Sequence, residues 1–130
     1  MGLQQAGLTE QTSWIREQDY QPDTGYRMVK QLYQELGSLP EALFTASYSL
    51  MEGVLRFVHE QSHLGTEIRL GTFDDYEMLN YLPWPVDSIA QDCQQIARVG
   101  FELATALIEQ QTLTEFQLQI PATVKWRSRG

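Results

Sequence analysis

The chain has 130 residues, of which 42% are hydrophobic and 20% are charged, and it carries a formal net charge of −8. This length and apolar content fit one domain with a hydrophobic core and exclude a disordered chain. The acidic balance opposes binding to a nucleic-acid backbone, which requires clustered Lys and Arg. Basic residues lie close together only at the end of the chain, where we interpret Lys125, Arg127 and Arg129 as a solvated tail.

Cysteine and histidine content restricts the chemistry further. Cys93 is the only cysteine, so a disulfide framework is excluded and a reducing cytoplasm is favoured. We expect Cys93 to be a buried structural residue, because His59 and His63 lie on a different predicted helix and loop. The two histidines are spaced like a metal pair, but Glu60 is the only carboxylate at a suitable distance, so we expect no metal and no cofactor. No apolar stretch approaches the ~20 residues of a membrane span, and no signal peptide is evident.

The first elements alternate between helix and strand. Residues Leu3–Gly7 resemble the last turn of a helix closed by glycine, and Ser13–Arg16 is predicted to be a short strand. A helix opens at Pro22 and stops at Gly37, with apolar residues spaced by three and four. The apolar run Ala42–Ala46 does not alternate, which is typical of a parallel strand covered on both faces.

The next predicted helix is capped by Ser47 or Ser49 and has two apolar sides. Its inner stripe is Leu50, Val54, Phe57 and Val58, while Met51 and Leu55 lie beside that stripe and can face a partner. The elements that follow are the polar loop Gln61–Thr66, the strand Ile68–Phe73, a short helix Asp75–Leu82, the strand Val86–Ala90, the helix Ile96–Gln110 and an alternating strand Phe116–Ile120 continued by Val124 and Trp126. This order predicts an α/β fold with a doubly wound parallel sheet.

Candidate ligand-binding residues follow the predicted strands. In open α/β sheets ligands bind beyond the carboxyl ends of the strands. Asp74 can accept two sugar hydroxyls or cap a helix. Tyr20 can cover the apolar face of a sugar ring, although a tyrosine there is often core or surface. Ser47 and Gln91 add a hydroxyl and an amide to the same edge, so the set suits a small polyhydroxylated ligand.

The remaining candidate for chemistry is an arginine. Arg16 can clamp an anionic group, but pairing with its neighbours Glu17 and Asp19 is the favoured interpretation. An enzyme would have to work with Asp74, Asp75 and Arg16 alone, since no nucleophile elbow, phosphate-binding glycine loop, CxxC pair or HExxH sequence is present. We therefore expect a binding protein rather than an enzyme.

Five segments in a fixed order carry a family resemblance: Asp19-Tyr20, Pro40–Ser47, Gly71–Asp75, Pro85–Gln91 and Ile120–Ser128. Together they resemble the effector-binding core of the lactose/galactose repressor (LacI/GalR) family, bacterial transcription regulators built like periplasmic sugar-binding proteins. The run Ala42–Leu50 looks most like the fructose and sucrose operon repressors. A periplasmic sugar-binding protein is the alternative, and a small enzyme acting on a sugar substrate is a further one.

The resemblance implies a fold and a site. It implies that residues 1–130 are the C-terminal part of a sugar-effector-binding domain, with the first subdomain and the helix-turn-helix DNA-binding domain outside them. It implies that Tyr20 stacks on the effector and that Ser47, Asp74 and Gln91 hydrogen-bond it. Fructose, sucrose and a phosphorylated sugar are the candidate effectors, and Asp74 favours a neutral one.

The resemblance also implies partners. Family dimers form through positions that match Met51, Leu55, Met78 and Leu82. One strand of the family's sheet, between those matching Trp14–Arg16 and Ala42–Ala46, has no counterpart in the sequence. We therefore expect the chain to close up with an altered strand order or to borrow a strand from another copy. The helix Ile96–Gln110 should expose an apolar face.

Overall fold

One four-stranded sheet organises the chain, in a computed structural model that describes residues 2–61, 63, 68–112 and 117–128. The strands follow chain order as β1 (Ala42–Thr45), β2 (Arg69–Phe73), β3 (Val86–Ala90) and β4 (Thr123–Lys125). β1, β2 and β3 are parallel, whereas β4 is antiparallel to β3. The α/β class is confirmed, but a wholly parallel sheet is wrong, because β4 starts beside Ala90 at the carboxyl end of β3.

The helices begin and end where the sequence provides capping residues. They are α1 (Gly2–Gln5), α2 (Pro22–Leu36), α3 (Tyr48–Glu60) and α4 (Cys93–Ile108). Pro22 occupies the first turn of α2, and Gly37 ends it at a φ of 72°, a left-handed conformation that glycine adopts without steric cost. Ser47 caps α3 by accepting from the backbone N–H of Leu50 at 3.3 Å. None of the described helices combines the length and apolar character needed to cross a bilayer.

Helices α2 and α3 cross at very close range through two glycines. A Cβ atom added at Gly25 would lie 2.2 Å from the carbonyl oxygen of Leu50, and one added at Gly53 would lie 1.9 Å from that of Pro22. Both distances are far below van der Waals contact, so only glycine allows this approach. The two helices therefore pack as one layer on the sheet.

The core lies between this helix layer and one face of the sheet. Leu43, Leu70 and Val86 are in register across β1, β2 and β3, and Leu70 and Val86 are buried. On the helix side the buried residues include Val29, Met51, Val54, Phe57 and Val58. The predicted inner stripe of α3 is confirmed, since Leu50, Val54, Phe57 and Val58 are all buried.

The opposite face of the sheet is largely open. Phe44 of β1 is 58% exposed, and Ala42 and Arg69 are exposed beside it. No residue of α4 is buried, and Phe101 and Ile108 are 74% and 82% exposed. The prediction that α4 exposes an apolar face is confirmed. The prediction that β1 is buried on both faces is wrong, because α4 does not cover the open face of the sheet. Cys93 begins α4 and is exposed, so its predicted burial is also wrong.

Three further predicted elements differ from the structure. Residues Ser13–Arg16 do not form a strand; Thr12–Trp14 form a 3₁₀ turn and the chain then continues without regular structure. The predicted short helix is a 3₁₀ helix over Glu77–Tyr81. Residues 117–120 are not assigned to a strand, and Phe116 lies outside the described residues. Arg129 and residues 62 and 64–66 of the predicted polar loop also lie outside the described residues.

A cleft separates residues 13–16 from β1, which explains why these residues do not form the predicted strand. It has a volume of about 590 Å³ and lies between the segment 14–20 and β1, with α2 contributing Val29 and Leu32 to its wall. β1 is an edge strand, paired only with β2 among the described strands. A strand needs a hydrogen-bonded neighbour, and residues 13–16 have none across this cleft. The chain thus does not fill the expected gap by altering its strand order.

The helix crossing predicts opposite effects of the same substitution at two glycines. Gly53→Ala should lower the free energy of unfolding by at least about 2 kcal/mol, because the new methyl group forces α2 and α3 apart. Gly100→Ala in α4 meets no atom within 4 Å and should raise stability by about 0.5–1 kcal/mol through helix propensity. Urea denaturation of both variants measures this, and equal effects would contradict the described crossing.

Candidate functional site

Polar residues follow each of the three parallel strands. Ser47 comes two residues after β1, Asp74 directly after β2, and Gln91 directly after β3. Because the strands are parallel neighbours, these residues share the carboxyl edge of the sheet. This edge, defined by Ser47, Asp74 and Gln91, is called the rim below.

Asp74 and Gln91 contact each other at the rim. The side-chain amide of Gln91 donates to a carboxylate oxygen of Asp74 at 3.4 Å, a long hydrogen bond. Asp74 has a φ of 75°, a left-handed conformation that non-glycine residues seldom adopt. The residue that precedes the following 3₁₀ helix is Tyr76, and no side chain caps that helix. Asp74 therefore does not cap a helix, which was the alternative interpretation of this residue.

Tyr20 lies in a different part of the surface. Its side chain is 61% exposed and lines the 590 Å³ cleft, together with Ile15 and Phe44. Ser47, Asp74 and Gln91 do not line that cleft. The structure therefore brings Asp74 and Gln91 together but does not gather all four predicted residues around one cavity. The reason is that the segment before α2 is not held in the sheet, so it does not carry Tyr20 to the rim.

The turn before α2 nevertheless has defined contacts. Asp19 accepts from the hydroxyl of Thr24 and from the backbone N–H of Gln21 at 3.2 Å. The hydrogen bond from Thr24, followed by that from Gln21, lowers the pKa of the Asp19 carboxyl. Arg16 pairs with Glu35 of α2, so its predicted pairing with Glu17 and Asp19 is wrong.

A row of buried hydroxyl groups lies behind the rim. Thr45, Thr72 and Ser88 occupy equivalent positions on β1, β2 and β3, and at most 7% of each residue is exposed. The hydroxyl of Thr45 lies 2.8 Å from that of Thr72, so these buried polar groups are satisfied within the sheet. The sequence analysis did not identify this row. Polar residues at alternate positions of otherwise apolar strands were the pattern that indicated it.

Asp75 accepts three hydrogen bonds near the rim. One carboxylate oxygen accepts from Ser88 Oγ and from the guanidinium of Arg127, both at 2.7 Å, and the other accepts from Lys125 Nζ at 2.5 Å. Burial raises the pKa of Asp75, but the hydrogen bonds from Lys125, Ser88 and Arg127 outweigh it and bring the pKa to about 2. Lys125 and Arg127 are therefore not a solvated tail.

Arg127 extends this network to the neighbouring elements. Its guanidinium donates to Asn80 Oδ1 at 2.8 Å, to Ser88 Oγ at 2.8 Å and to the carbonyl oxygen of Val86 at 3.1 Å. Its backbone N–H donates to Asp87 Oδ1 at 2.6 Å. Burial raises the pKa of Asp87, but hydrogen bonds from Ser128 and Arg127 lower it below its usual value.

Two tyrosines stack beside the rim. The rings of Tyr48 and Tyr76 lie 4.2 Å apart between centroids and 26° from parallel. Tyr48 follows Ser47 and Tyr76 follows Asp75, so the stack links the chain segments after β1 and β2. Burial is the main cause that raises the pKa of the Tyr48 phenol. Sequence reasoning did not identify this pair.

The predicted dimer residues differ in exposure. Met78 is 58% exposed, whereas Leu55 and Leu82 are partly buried against the core. Met51 has 0% of its surface exposed. Its expected contact with a partner is therefore wrong for this fold, because the side chain is enclosed between α3 and the rest of the core.

Acidic and cysteine or histidine side chains do not form a metal site in the part of the chain that the structure describes: no three of them come together. The polar groups of the rim are hydrogen-bonding groups. A carboxylate, an amide and a hydroxyl at one sheet edge can bind a ligand that carries several hydroxyl groups.

Comparison with known proteins identifies the family. The profile of the periplasmic binding protein-like domain matches residues 1–128, and the chain belongs to this family. It is 38% identical over 126 residues to the sucrose operon repressor of Klebsiella pneumoniae, a match that covers 97% of this chain and 38% of the repressor. It is 37% identical over 90 residues to the fructose operon regulatory protein of Vibrio cholerae, covering 69% and 27% of the two chains.

A solved structure agrees with these relatives. The Cra transcriptional dual regulator from Pseudomonas putida, in complex with fructose 1-phosphate, superposes with a TM-score of 0.74 and 37% identity, covering 85% of this chain and 41% of that one. The resemblance to sucrose and fructose operon repressors of the LacI/GalR family is confirmed. The chain spans about 38% of the length of the sucrose operon repressor.

The contacts of Asp75 predict an acid-sensitive contribution to stability. Its pKa is lowered from 3.8 to about 2 on folding, so the contribution is complete above the unfolded value and is lost as pH falls from 3.8 towards about 2. The lost stability should be on the order of 2 kcal/mol. Urea denaturation as a function of pH should show a shallower acid decline for Asp75→Asn than for the unaltered chain. Glu102→Gln on exposed α4 is the control, and equal slopes in all three proteins would contradict the Asp75 contacts.

Proposed function

We propose that this chain carries half of the inducer-binding cleft of a sugar-responsive transcriptional repressor of the sucrose and fructose operon type. The observation that carries the proposal is the contact between Asp74 and Gln91 at the carboxyl edge of two neighbouring parallel strands. Relatives named as operon regulators support a repressor over a periplasmic sugar-binding protein, and they also support a binding role over an enzymatic one.

Each rim residue has a defined role in this proposal. Asp74 accepts hydrogen bonds from two sugar hydroxyls, and Gln91 both donates and accepts through its amide. Ser47 accepts from the N–H of Leu50 and keeps its own hydroxyl hydrogen to donate to a sugar oxygen. Tyr20 covers the apolar face of the ring when the segment that carries it closes over the rim.

A neutral sugar, fructose or sucrose, is the proposed effector. The Asp74 carboxylate would repel a phosphate group, and the cations that contact the adjacent Asp75, Lys125 and Arg127, are already paired with it. A phosphorylated sugar is the second candidate, because the Cra regulator was solved with fructose 1-phosphate and is 37% identical to this chain.

The proposed switch is a change in population between two arrangements of the effector-binding core. Sugar that binds one arrangement more tightly shifts the protein towards it, and operator DNA, contacted by a helix-turn-helix domain outside these 130 residues, favours the other. The acidic chain itself is suited to the sugar and not to DNA. Such a repressor acts in the cytoplasm.

A homodimer is the proposed functional unit. Met78 and Tyr81 are 58% and 67% exposed and lie on the 3₁₀ helix Glu77–Tyr81, which the partly buried Leu82 follows directly in the chain. Exposed apolar side chains grouped in this way are typical of an interface. Strand exchange between copies stays part of the proposal, because the free edge of β1 adjoins the cleft.

Replacing Asp74 distinguishes the two effector classes. Asp74→Asn should weaken fructose or sucrose binding at least about tenfold, since a charge-assisted hydrogen bond contributes about 1.5–3 kcal/mol. If the effector is fructose 1-phosphate, the same substitution removes a repulsive charge and should strengthen binding. Calorimetric titration of the complete effector-binding core with the three sugars measures both. Asp23→Asn, an exposed carboxylate on α2, is the matched control, and unchanged affinity for every sugar would refute a role for Asp74.

The dimer surface predicts a charge-sensitive association. Met78→Glu should shift the protein towards monomer by placing a carboxylate in an apolar contact. Leu8→Glu is the control, because Leu8 is equally exposed at 58% and is remote in sequence. Light scattering at several concentrations reports the oligomeric state, and a dimer equally stable in both variants would rule out this surface.

A further inference from the structure

The backbone at Asp74 is held in an unfavourable conformation. Its φ of 75° lies in the left-handed region, which residues other than glycine adopt uncommonly, although Asp adopts it more often than most. Such a conformation persists only where surrounding contacts enforce it. Within the described residues, the Asp74 side chain makes a 3.4 Å hydrogen bond with Gln91, which is too long to enforce a backbone conformation.

The next residue supplies the missing restraint. Asp75 accepts from Ser88 on β3 and from Lys125 and Arg127 at the end of the chain, at 2.7, 2.5 and 2.7 Å. Its side chain is 14% exposed and that of Arg127 is 13% exposed. Charge-assisted hydrogen bonds with so little access to water are short and strong. The residue after Asp74 is therefore fixed to the sheet.

The same arginine also holds the far end of the turn. Its Nε donates to Asn80 Oδ1 at 2.8 Å, while its Nη atoms contact Asp75, Ser88 and the carbonyl oxygen of Val86. One planar guanidinium thus joins both ends of the segment 75–80 to β3. A lysine could not make these contacts simultaneously, because its ammonium group lacks the fork of donors.

We propose that Arg127, acting through Asp75, is a positioning residue for the sugar site: it holds the turn after β2 so that Asp74 presents its carboxylate beside Gln91. The inference rests on the proposed function of Asp74. Arg127 does not contact the sugar in this arrangement, since its charge is matched by Asp75. A residue 53 positions after Asp74 thereby sets the sugar affinity through backbone geometry.

The test combines two measurements on the complete effector-binding core. Arg127→Lys keeps the positive charge and removes the fork, so binding of fructose or sucrose should weaken at least about tenfold by calorimetry. In the absence of sugar, NMR scalar couplings and chemical shifts at residue 74 should show that its positive φ is lost or averaged. Arg98→Lys is the matched control, since Arg98 is exposed on α4, where its ion pair in the described chain is with Glu102 at 3.8 Å.

Asp75→Asn provides a second variant that does not depend on how well Arg127→Lys folds. It preserves the shape of the side chain and weakens the contacts to Lys125 and Arg127. Like Arg127→Lys, it should cause the positive φ at residue 74 to be lost or averaged, and it should weaken sugar binding. If both variants lose thermal stability but keep the φ and the affinity of the unaltered protein, the network is only structural and the proposal is overturned.

The two measurements also separate this inference from the proposed function. If Asp74→Asn leaves sugar binding unchanged, the proposed function fails, whereas the φ of residue 74 still decides whether Arg127 positions it. If Asp74→Asn abolishes binding and Arg127→Lys leaves both the φ and the affinity unchanged, the sugar site stands and the positioning role is refuted.

Discussion

The parallel register of β1, β2 and β3 is the constraint on which the rest of the structure depends. Along these strands the side chains that face α2 and α3 change from apolar to hydroxyl, from the row Leu43, Leu70 and Val86 to the row Thr45, Thr72 and Ser88. Beyond the second row lie Ser47, Asp74 and Gln91. The apolar row packs against the core and stabilises the sheet. In the hydroxyl row, Thr45 pairs with Thr72, while Ser88 pairs with Asp75 and Arg127.

The two faces of the sheet differ in how completely they are covered. The close crossing of α2 and α3 at Gly25 and Gly53 gives one face a dense helix layer. The other face leaves Phe44 exposed, and α4 buries none of its residues. Exposed apolar surface of this extent is typical of interfaces.

Charge pairing distinguishes the two aspartates near the rim and underlies the proposed preference for neutral ligands. Lys125 and Arg127 neutralise Asp75, which leaves Asp74 as the carboxylate beside Gln91. The two adjacent aspartates therefore have different environments, since one is enclosed by donors and the other carries a single long hydrogen bond at the rim. In the proposed site, Asp75 holds the backbone while Asp74 stays accessible to a ligand.

Local signals in the sequence were sufficient for the individual elements. Proline and glycine placed the ends of α2, serine placed the start of α3, and apolar runs placed β1, β2 and β3 to within one residue. Because polar residues directly follow those strands, the meeting of Asp74 and Gln91 was also predictable once a parallel sheet was expected. The family resemblance pointed to the same rim.

The sequence by itself thus determined the α/β class, the boundaries of the main elements and the composition of the rim, since each depends on neighbours along the chain. Only the tertiary structure decided which surfaces are buried and which distant groups pair. It separated Tyr20 from the rim, enclosed Met51 in the core, turned β4 antiparallel and joined Arg127 to Asp75. These outcomes depend on contacts between residues far apart in the chain, and such contacts leave no periodic pattern in the sequence.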